Sequence, residues 1–169
     1  MQTLQRITIF LVFFMVFFSC KKADIMQTSS SVSAIIGKWK LTGIFLGDAI
    51  ATPCYGSIPT RDITIEFTGN PSGIGSKLSL NGQSTINNYF GSYEADSKGI
   101  IKISSVGSTQ IGGSEEMMQC ETNYFTFLAA SEAYKIIQVE TNPVKTVLQL
   151  GVFKNGPRDG GTYLIFEKN

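Results

Sequence analysis

The chain has 169 residues, with 14 lysines and arginines against 13 aspartates and glutamates, and no histidine. This near-balance of charge excludes the basic excess on which nucleic-acid binding depends, so we expect no nucleic-acid partner. The lack of histidine removes the commonest general base, the commonest zinc ligand and every Ser-His or Cys-His catalytic arrangement. We therefore expect a protein that is not an enzyme and that holds neither a metal nor a cofactor.

The first residues have the pattern of an export signal. Arg6 is followed by an apolar run over residues 7–18, interrupted only by Thr8. A membrane-spanning helix needs about 20 apolar residues, which is more than this run supplies. The run is instead typical of the hydrophobic region of a cleaved signal peptide over residues 1–19, and an uncleaved anchor is the alternative.

Cys20 follows this run directly, after the small residue Ser19. The pair resembles the lipobox of bacterial lipoprotein signals, although Phe17 and Phe18 stand where a leucine and a small residue are usual. The resemblance implies cleavage before Cys20 and acylation of that cysteine, with palmitate among its chains. Two or more acyl chains hold a protein firmly in a membrane. We expect a lipid-anchored envelope protein. Lys21, rather than aspartate, follows the cysteine, and this favours transport of a lipoprotein to the outer membrane. The face of the membrane that the protein occupies is left open.

The remaining chain divides into a tether and one domain. Residues 20–34 are polar, rich in serine and without periodicity, which indicates a flexible tether. Residues 35–169, about 135 in number, suffice for one domain with a single core. We expect this domain to be a monomer.

Two cysteines remain once Cys20 carries lipid. Cys54 and Cys120 lie in a chain that is exported to an oxidising compartment, where disulfides persist. A Cys54–Cys120 disulfide is the economical interpretation. Two buried free thiols are the alternative, since the sequence does not show that the cysteines come within bridging distance.

From residue 35 onward, short runs of alternating apolar and polar residues are separated by Gly, Asn, Ser and Pro. Ile63, Ile65 and Phe67, for example, fall on one face of an extended segment. Such a pattern predicts half-buried strands with turns between them. The predicted strand regions are residues 35–45, 61–69, 76–82, 87–95, 99–107, 135–140, 145–153 and 160–168.

One segment departs from the period of two. Residues 120–135 contain no Gly or Pro and bring Tyr124, Phe125 and Leu128 together at spacings of three and four. This predicts a helix at about 121–132, with Glu121 favourable near its N-terminus. The predicted fold is mainly β: one antiparallel barrel-like or strongly curved sheet with one inserted α-helix.

Several of these motifs together resemble the META/HslJ-like domain family of bacterial envelope proteins over residues 35–167. The family opens on a strand of the form G-x-W-x-L and has the central signature G-C-N-x-Y-x-G-x-Y. The matching residues are Gly37, Trp39, Leu41, Asn87, Tyr89, Gly91 and Tyr93, and a later family segment is similar to Thr109, Cys120 and Glu121. Thr85 and Ile86 depart from the signature, so its cysteine is absent. The resemblance implies an envelope protein without defined catalytic chemistry.

The cluster of Trp39, Asn87, Tyr89, Gly91 and Tyr93 has two interpretations. Tyr89 and Tyr93 share a strand face with Gly91 between them, and a glycine beside aromatic rings lets another group approach closely. Asn87 suits a strand entry, where its side chain can bond to the backbone. We favour a structural corner of the barrel and keep a ligand site as the alternative.

Three functions follow for comparison. The first is a non-enzymatic envelope lipoprotein that binds an unknown protein or envelope component, or contributes to stress tolerance. The second is a lipocalin-like carrier of a small apolar ligand, because Gly37 and Trp39 also match the lipocalin opening; an open apolar interior would favour it. The third is an enzyme that uses carboxylates, for which Glu115 with Glu116, or Asp159, are the candidates.

Overall fold

The structure, a computed structural model, describes residues 32–54, 61–156 and 159–169, together with the backbone of residues 25–27. The predicted signal peptide, the lipid-attachment residue Cys20 and most of the predicted tether lie outside these ranges. Within the described ranges, neither α-helix has both the length and the apolar character needed to span a membrane.

The described residues form ten strands and two helices. Most strands coincide with the alternating runs of the sequence, because a period of two places every second side chain on the buried face. In chain order the elements are β1 (Ile25–Gln27), α1 (Val32–Ile35), β2 (Gly37–Leu46), β3 (Ala49–Ala51), β4 (Thr64–Pro71), β5 (Leu78–Gln83), β6 (Asn88–Ala95), β7 (Ile101–Ser108), α2 (Glu115–Ala129), β8 (Ala133–Val139), β9 (Lys145–Phe153) and β10 (Gly161–Lys168).

All the strands belong to one antiparallel sheet. Its order is β1-β8-β9-β10-β2-β4-β5-β6-β7, and β3 pairs with β2 beside this path. The eight longer strands curl into a half-barrel, which confirms the predicted strongly curved antiparallel sheet with an inserted helix. A single bridge between Ile100 and Ala133 brings the start of β7 against the start of β8. The two ends of the longer sheet therefore approach each other.

The core lies on the concave face of this sheet. Ile63, Ile65 and Phe67 are buried together, as their alternation predicts. Aromatic rings supply much of the filling. The largest fully buried aromatic side chains are Trp39, Phe67, Tyr89, Tyr93, Tyr124, Tyr134 and Phe166.

The inserted helix begins earlier than predicted. The prediction placed it at about 121–132, whereas α2 spans Glu115–Ala129. Apolar periodicity shows only from Cys120 onward, but the helix is started by Ser114, whose side chain accepts a bond from the backbone N–H of Met117 at 3.4 Å. An N-cap of this kind satisfies a backbone donor that the helix itself cannot. The predicted start was therefore wrong by about two turns.

The predicted tether is not wholly without secondary structure. Ile25–Gln27 forms β1, which pairs with β8, and Val32–Ile35 forms α1. The backbone groups along the outer edge of β8 need partners, and a short strand supplies them. The predicted flexible tether over residues 20–34 therefore includes β1 and the start of α1.

The predicted disulfide is present in the structure. Cys54 follows β3 and Cys120 lies in α2, with their Cα atoms 5.0 Å apart and a sequence separation of 66 residues. Both cysteines are buried. The bond fastens the segment after β3 to the inserted helix.

Candidate functional site

Asn87 lies at the centre of a buried polar corner between β5 and β6. Its side-chain oxygen accepts bonds from the Thr109 hydroxyl and the Ile111 N–H, each at 2.8 Å. Its side-chain nitrogen donates to the Ile111 carbonyl at 3.2 Å and to Glu121 Oε2 at 2.8 Å. One amide thus ties the entry of β6 both to the chain after β7 and to α2.

The carboxylate of Glu121 completes this corner. Its Oε1 accepts from the backbone N–H of Asn87 at 3.0 Å and from the Ser84 hydroxyl. The Thr85 hydroxyl donates to the carbonyl of Met117 at 3.1 Å, one turn earlier in the helix. The loop over residues 84–87 is therefore fastened to α2 from several directions.

Arg61 approaches the same loop from before β4. Its Nε donates to the Ser84 carbonyl at 2.9 Å, and its guanidinium also donates to the Ile86 carbonyl. Sequence patterns predicted no role for Arg61 and only a favourable helix-end position for Glu121. A signal for Glu121 existed in its position within the family's helical segment, whereas no local pattern marks Arg61.

Tyr89 and Tyr124 form a buried hydroxyl pair inside the half-barrel. The Tyr89 hydroxyl donates to the Thr64 carbonyl at 2.8 Å, and the two hydroxyl oxygens lie 2.5 Å apart. Burial raises the pKa of both phenols, well above the usual value for Tyr89. Both therefore remain protonated at neutral pH and act as hydrogen-bonding core residues.

Tyr93 lies four residues after Tyr89 in β6 and is also buried. Its hydroxyl donates to the Thr68 carbonyl at 2.9 Å, and its ring meets Phe67 edge to face at 4.9 Å. Burial raises the pKa of Tyr93 as well. A Cβ at Gly91 would lie 3.3 Å from the Ser104 carbonyl and 3.4 Å from Leu80, at an irregularity in the pairing of β6 with β7 between Phe90 and Ser92. The glycine between the two buried tyrosines of β6 is therefore tightly contacted.

Trp39 lies apart from these residues. Its indole N–H donates to the Ile35 carbonyl at 2.7 Å, which joins β2 to α1. The Lys168 ammonium lies 5.2 Å from the centre of the indole ring, within the range of a cation–π contact. Trp39 therefore fills and closes one end of the core, and the structure does not bring it to the Asn87 corner.

These contacts favour the structural interpretation of the predicted cluster. Among the described residues, every buried side-chain nitrogen or oxygen has a hydrogen-bond partner within the protein. A polar corner that is saturated in this way rigidifies the fold, because an unpaired buried group would be unfavourable. Asn87, Glu121 and their neighbours leave little free capacity for a ligand.

The acidic residues considered for catalysis occupy helix and turn positions. Glu115 and Glu116 lie exposed in the first turn of α2, and hydrogen bonds from the backbone and from Ser114 lower the pKa of Glu116. Asp159 forms an ion pair with Lys154 at 2.9 Å, and its pKa is lowered by bonds to Lys154 and to the backbone of Gly161. A general acid at neutral pH needs a raised pKa, which is the opposite direction.

Two concave regions lie on the surface of the sheet. The larger, of 510 Å³, is lined by Ile74, Ser79, Asn81, Phe90, Gly91 and Ser105. The smaller, of 310 Å³, is lined by Lys38, Thr64, Glu66, Gln83, Asn88 and Tyr89. Phe90 is 63% exposed beside the first region. Both regions are partly open to solvent, and polar and apolar residues line each of them.

The fold and these residues define an antiparallel half-barrel that a single helix closes through a saturated polar corner. The sequence profile of the META domain family matches residues 33–150. The chain belongs to the META domain family. A protein from Burkholderia xenovorans, solved by NMR, has a similar fold, with a TM-score of 0.54 and 18% identity over 85% of this chain and 89% of its own. No curated protein matches the chain.

Proposed function

We propose that this META-domain protein is a lipid-anchored component of a bacterial cell envelope and acts without catalysis, as an interaction or stress-tolerance module. The observation that carries the proposal is the apolar run over residues 7–18 followed directly by Ser19 and Cys20. A run of this length is typical of an export signal. The cysteine that follows it supplies the acceptor for lipid.

The disulfide supports export. Cys54 and Cys120 are bonded to each other in a domain of ordinary size. Disulfides persist in oxidising compartments such as the bacterial periplasm and are rare in the cytosol. A protein that leaves the cytoplasm through a lipoprotein signal would form this bond after export.

The roles of the acidic residues support a function without catalysis. Glu116 and Asp159 have lowered pKa values in helix-capping and turn positions, and Glu121 is bonded within the Asn87 corner. These groups stabilise local structure. We therefore interpret the domain as a rigid scaffold that acts through contacts of its outer surface.

The carrier alternative gains no support from the interior. Trp39 and Tyr89 of the sheet and Tyr124 of α2 are 0–2% exposed and belong to the same buried core. A barrel of this size that is filled by its own side chains leaves no ligand chamber where they lie. An interaction module is therefore the better interpretation.

Metabolic labelling tests the anchor. Cells expressing the full chain are fed an alkyne analogue of palmitate, and the purified protein is examined for label and for mass. We expect label on the wild type and a mass that shows loss of residues 1–19. Cys20→Ser should abolish both changes, whereas Ser19→Ala, which keeps a small residue before the cysteine, should retain both. An unlabelled wild type, or a labelled Cys20→Ser variant, would contradict the proposal.

A growth assay tests the envelope role. A bacterial strain without the gene is compared with the same strain carrying the wild type or Cys20→Ser, in the presence of a detergent that stresses the outer membrane. We expect the wild type to restore growth and the unanchored variant to restore less. Equal growth of all three strains would count against a stress-tolerance role and leave binding of an envelope component as the proposed activity.

A further inference from the structure

The N-terminal strand enters the sheet at one defined end. Ile25 pairs with Val139, the last residue of β8, and Gln27 pairs with Ile137. Val139 also pairs with Lys145, the first residue of β9, so the turn over residues 140–144 lies at the same end. The N-terminal end of β1 therefore lies beside this turn.

The chain between the lipid-attachment residue and β1 is short. Cys20 and Ile25 are five positions apart. Five residues span at most about 17 Å when fully extended, and neighbouring strands lie about 4.8 Å apart. Val139 is therefore held within about 22 Å of the acylated cysteine, whatever path the intervening residues take.

The opposite end of the same strands lies much further away. Strand β9 has nine residues, and the loop that follows it, which includes Asn155, leads into β10. Nine strand residues extend about 27 Å. A domain anchored beside Val139 can therefore keep the turn over residues 140–144 at the membrane while Asn155 points away.

The groups at this end are compatible with lipid headgroups. Val144 is 61% exposed, and Ile36, 37% exposed, precedes the first residue of β2. The backbone N–H of Asn169 donates to the Lys38 carbonyl at 3.1 Å, so the described C-terminus lies at the same end. Lys145 there forms an ion pair with Glu167 at 3.0 Å. The end carries exposed apolar side chains, the ion-paired Lys145 and the exposed Glu140 of the turn itself.

We infer that β1 fixes the orientation of the domain on the bilayer, with the turn over residues 140–144 facing the lipid surface. The inference rests on the proposed lipid anchor at Cys20. Without β1, the first described element would be α1, twelve positions after Cys20, and the reach would rise to about 40 Å. Pairing of β1 with β8 therefore shortens the connection between Cys20 and the sheet.

Depth-dependent quenching tests this orientation. Full-length acylated protein is reconstituted in vesicles of phosphatidylethanolamine and phosphatidylglycerol, some of whose lipids carry a headgroup-level quencher. A fluorophore is attached to a single cysteine introduced as Val144→Cys or, as the matched control, Asn155→Cys; both positions are exposed. The headgroup layer on each side of the roughly 30 Å hydrocarbon core is only several ångströms thick, so a quencher there reaches only groups close to the bilayer. We therefore expect quenching at position 144 to be at least about twofold stronger than at position 155.

Lengthening the connection between Cys20 and β1 provides the second measurement. Ten Gly and Ser residues inserted after Lys22 leave every described residue unchanged but lengthen the connection, and a flexible linker of this kind adds roughly 17 Å of root-mean-square reach. We expect the difference in quenching between the two positions to shrink. An unchanged difference would overturn the role of the short connection.

The outcomes separate this inference from the proposed function. If the wild type carries lipid but positions 144 and 155 are quenched equally, the orientation is wrong and the anchor stands. If position 155 is quenched more, the opposite end faces the membrane. If Cys20 carries no lipid, both the anchor and the orientation fail.

Discussion

The side-chain nitrogen of Asn87 donates to Glu121 at 2.8 Å, across 34 positions of sequence. This bond joins the β5–β6 corner to the inserted helix. The same carboxylate accepts the backbone N–H of Asn87 at 3.0 Å, so Glu121 receives two bonds from one residue. The helix is held to the sheet by polar contacts here and by the disulfide and buried tyrosines elsewhere.

Replacement of Asn87 tests the importance of the polar corner. Asn87→Ala removes the partners of Thr109, Ile111 and Glu121 in a site that is only 4% exposed. Buried polar groups that lose their partners are unfavourable, so we expect the free energy of unfolding to fall by about 2–4 kcal/mol in urea titrations. The exposed neighbour is the control: Asn88→Ala should change it by less than about 0.5 kcal/mol. Similar small effects for both variants would contradict the structural role.

The buried tyrosines predict a loss of stability in alkali. Burial raises the folded-state pKa of Tyr89 and Tyr124 above the ordinary value of 10.0. Their contribution is fully present below pH 10 and is lost as the pH rises through the folded-state pKa, because unfolded tyrosines then release protons that the folded chain retains. Between pH 10 and the folded-state pKa, each tyrosine should lower the free energy of unfolding by up to about 1.4 kcal/mol per pH unit.

Urea unfolding between about pH 8 and pH 11 measures this dependence, and phenolate absorbance reports ionisation. Tyr124→Phe removes one titrating group, so its stability should fall less steeply with pH even if it starts lower. A slope that is identical in wild type and variant, or phenolate formation near pH 10 by Tyr89 and Tyr124 in the folded protein, would refute the prediction.

Reduction of the disulfide should destabilise the domain. The bond between Cys54 and Cys120 spans 66 positions. The chain-entropy treatment of a loop of this length gives about 4 kcal/mol. We expect a reductant to lower the urea midpoint of the wild type, and the double variant Cys54→Ser with Cys120→Ser to show the lower midpoint without responding to reductant. An unchanged wild-type midpoint after verified reduction would show that the bond contributes no stability.

Gly82 in β5 should resist substitution. A Cβ at this position would overlap the Thr64 carbonyl and the ring of Tyr89. Gly82→Ala must therefore displace a strand backbone or a buried ring, and we expect a loss of more than about 2 kcal/mol. Gly112 is the matched control, because nothing lies within 4 Å of its added Cβ. Equal thermal midpoints for the two alanine variants would show that the Tyr89 ring can move away at little cost.

The local patterns of the sequence predicted the elements of the fold well. Alternation at Ile63, Ile65 and Phe67 marked a half-buried strand because side chains change face at every residue. The spacing of Tyr124 and Leu128 marked the inserted helix, and both are buried on one side of it. The start of that helix was missed because Ser114 acts through a backbone cap rather than through apolar periodicity.

The sequence by itself therefore determined the mainly β character, the inserted helix and membership of the META domain family, whereas the structure decided between a Cys54–Cys120 disulfide and two free thiols. Only the tertiary structure decided that β1 covers part of the edge of β8, that Arg61 binds the 84–87 loop and that Glu121 bonds to Asn87. The physical reason is the distance in sequence over which each kind of signal acts. Periodicity and caps depend on neighbours within a few residues, whereas these contacts form only when the curved sheet brings distant segments together.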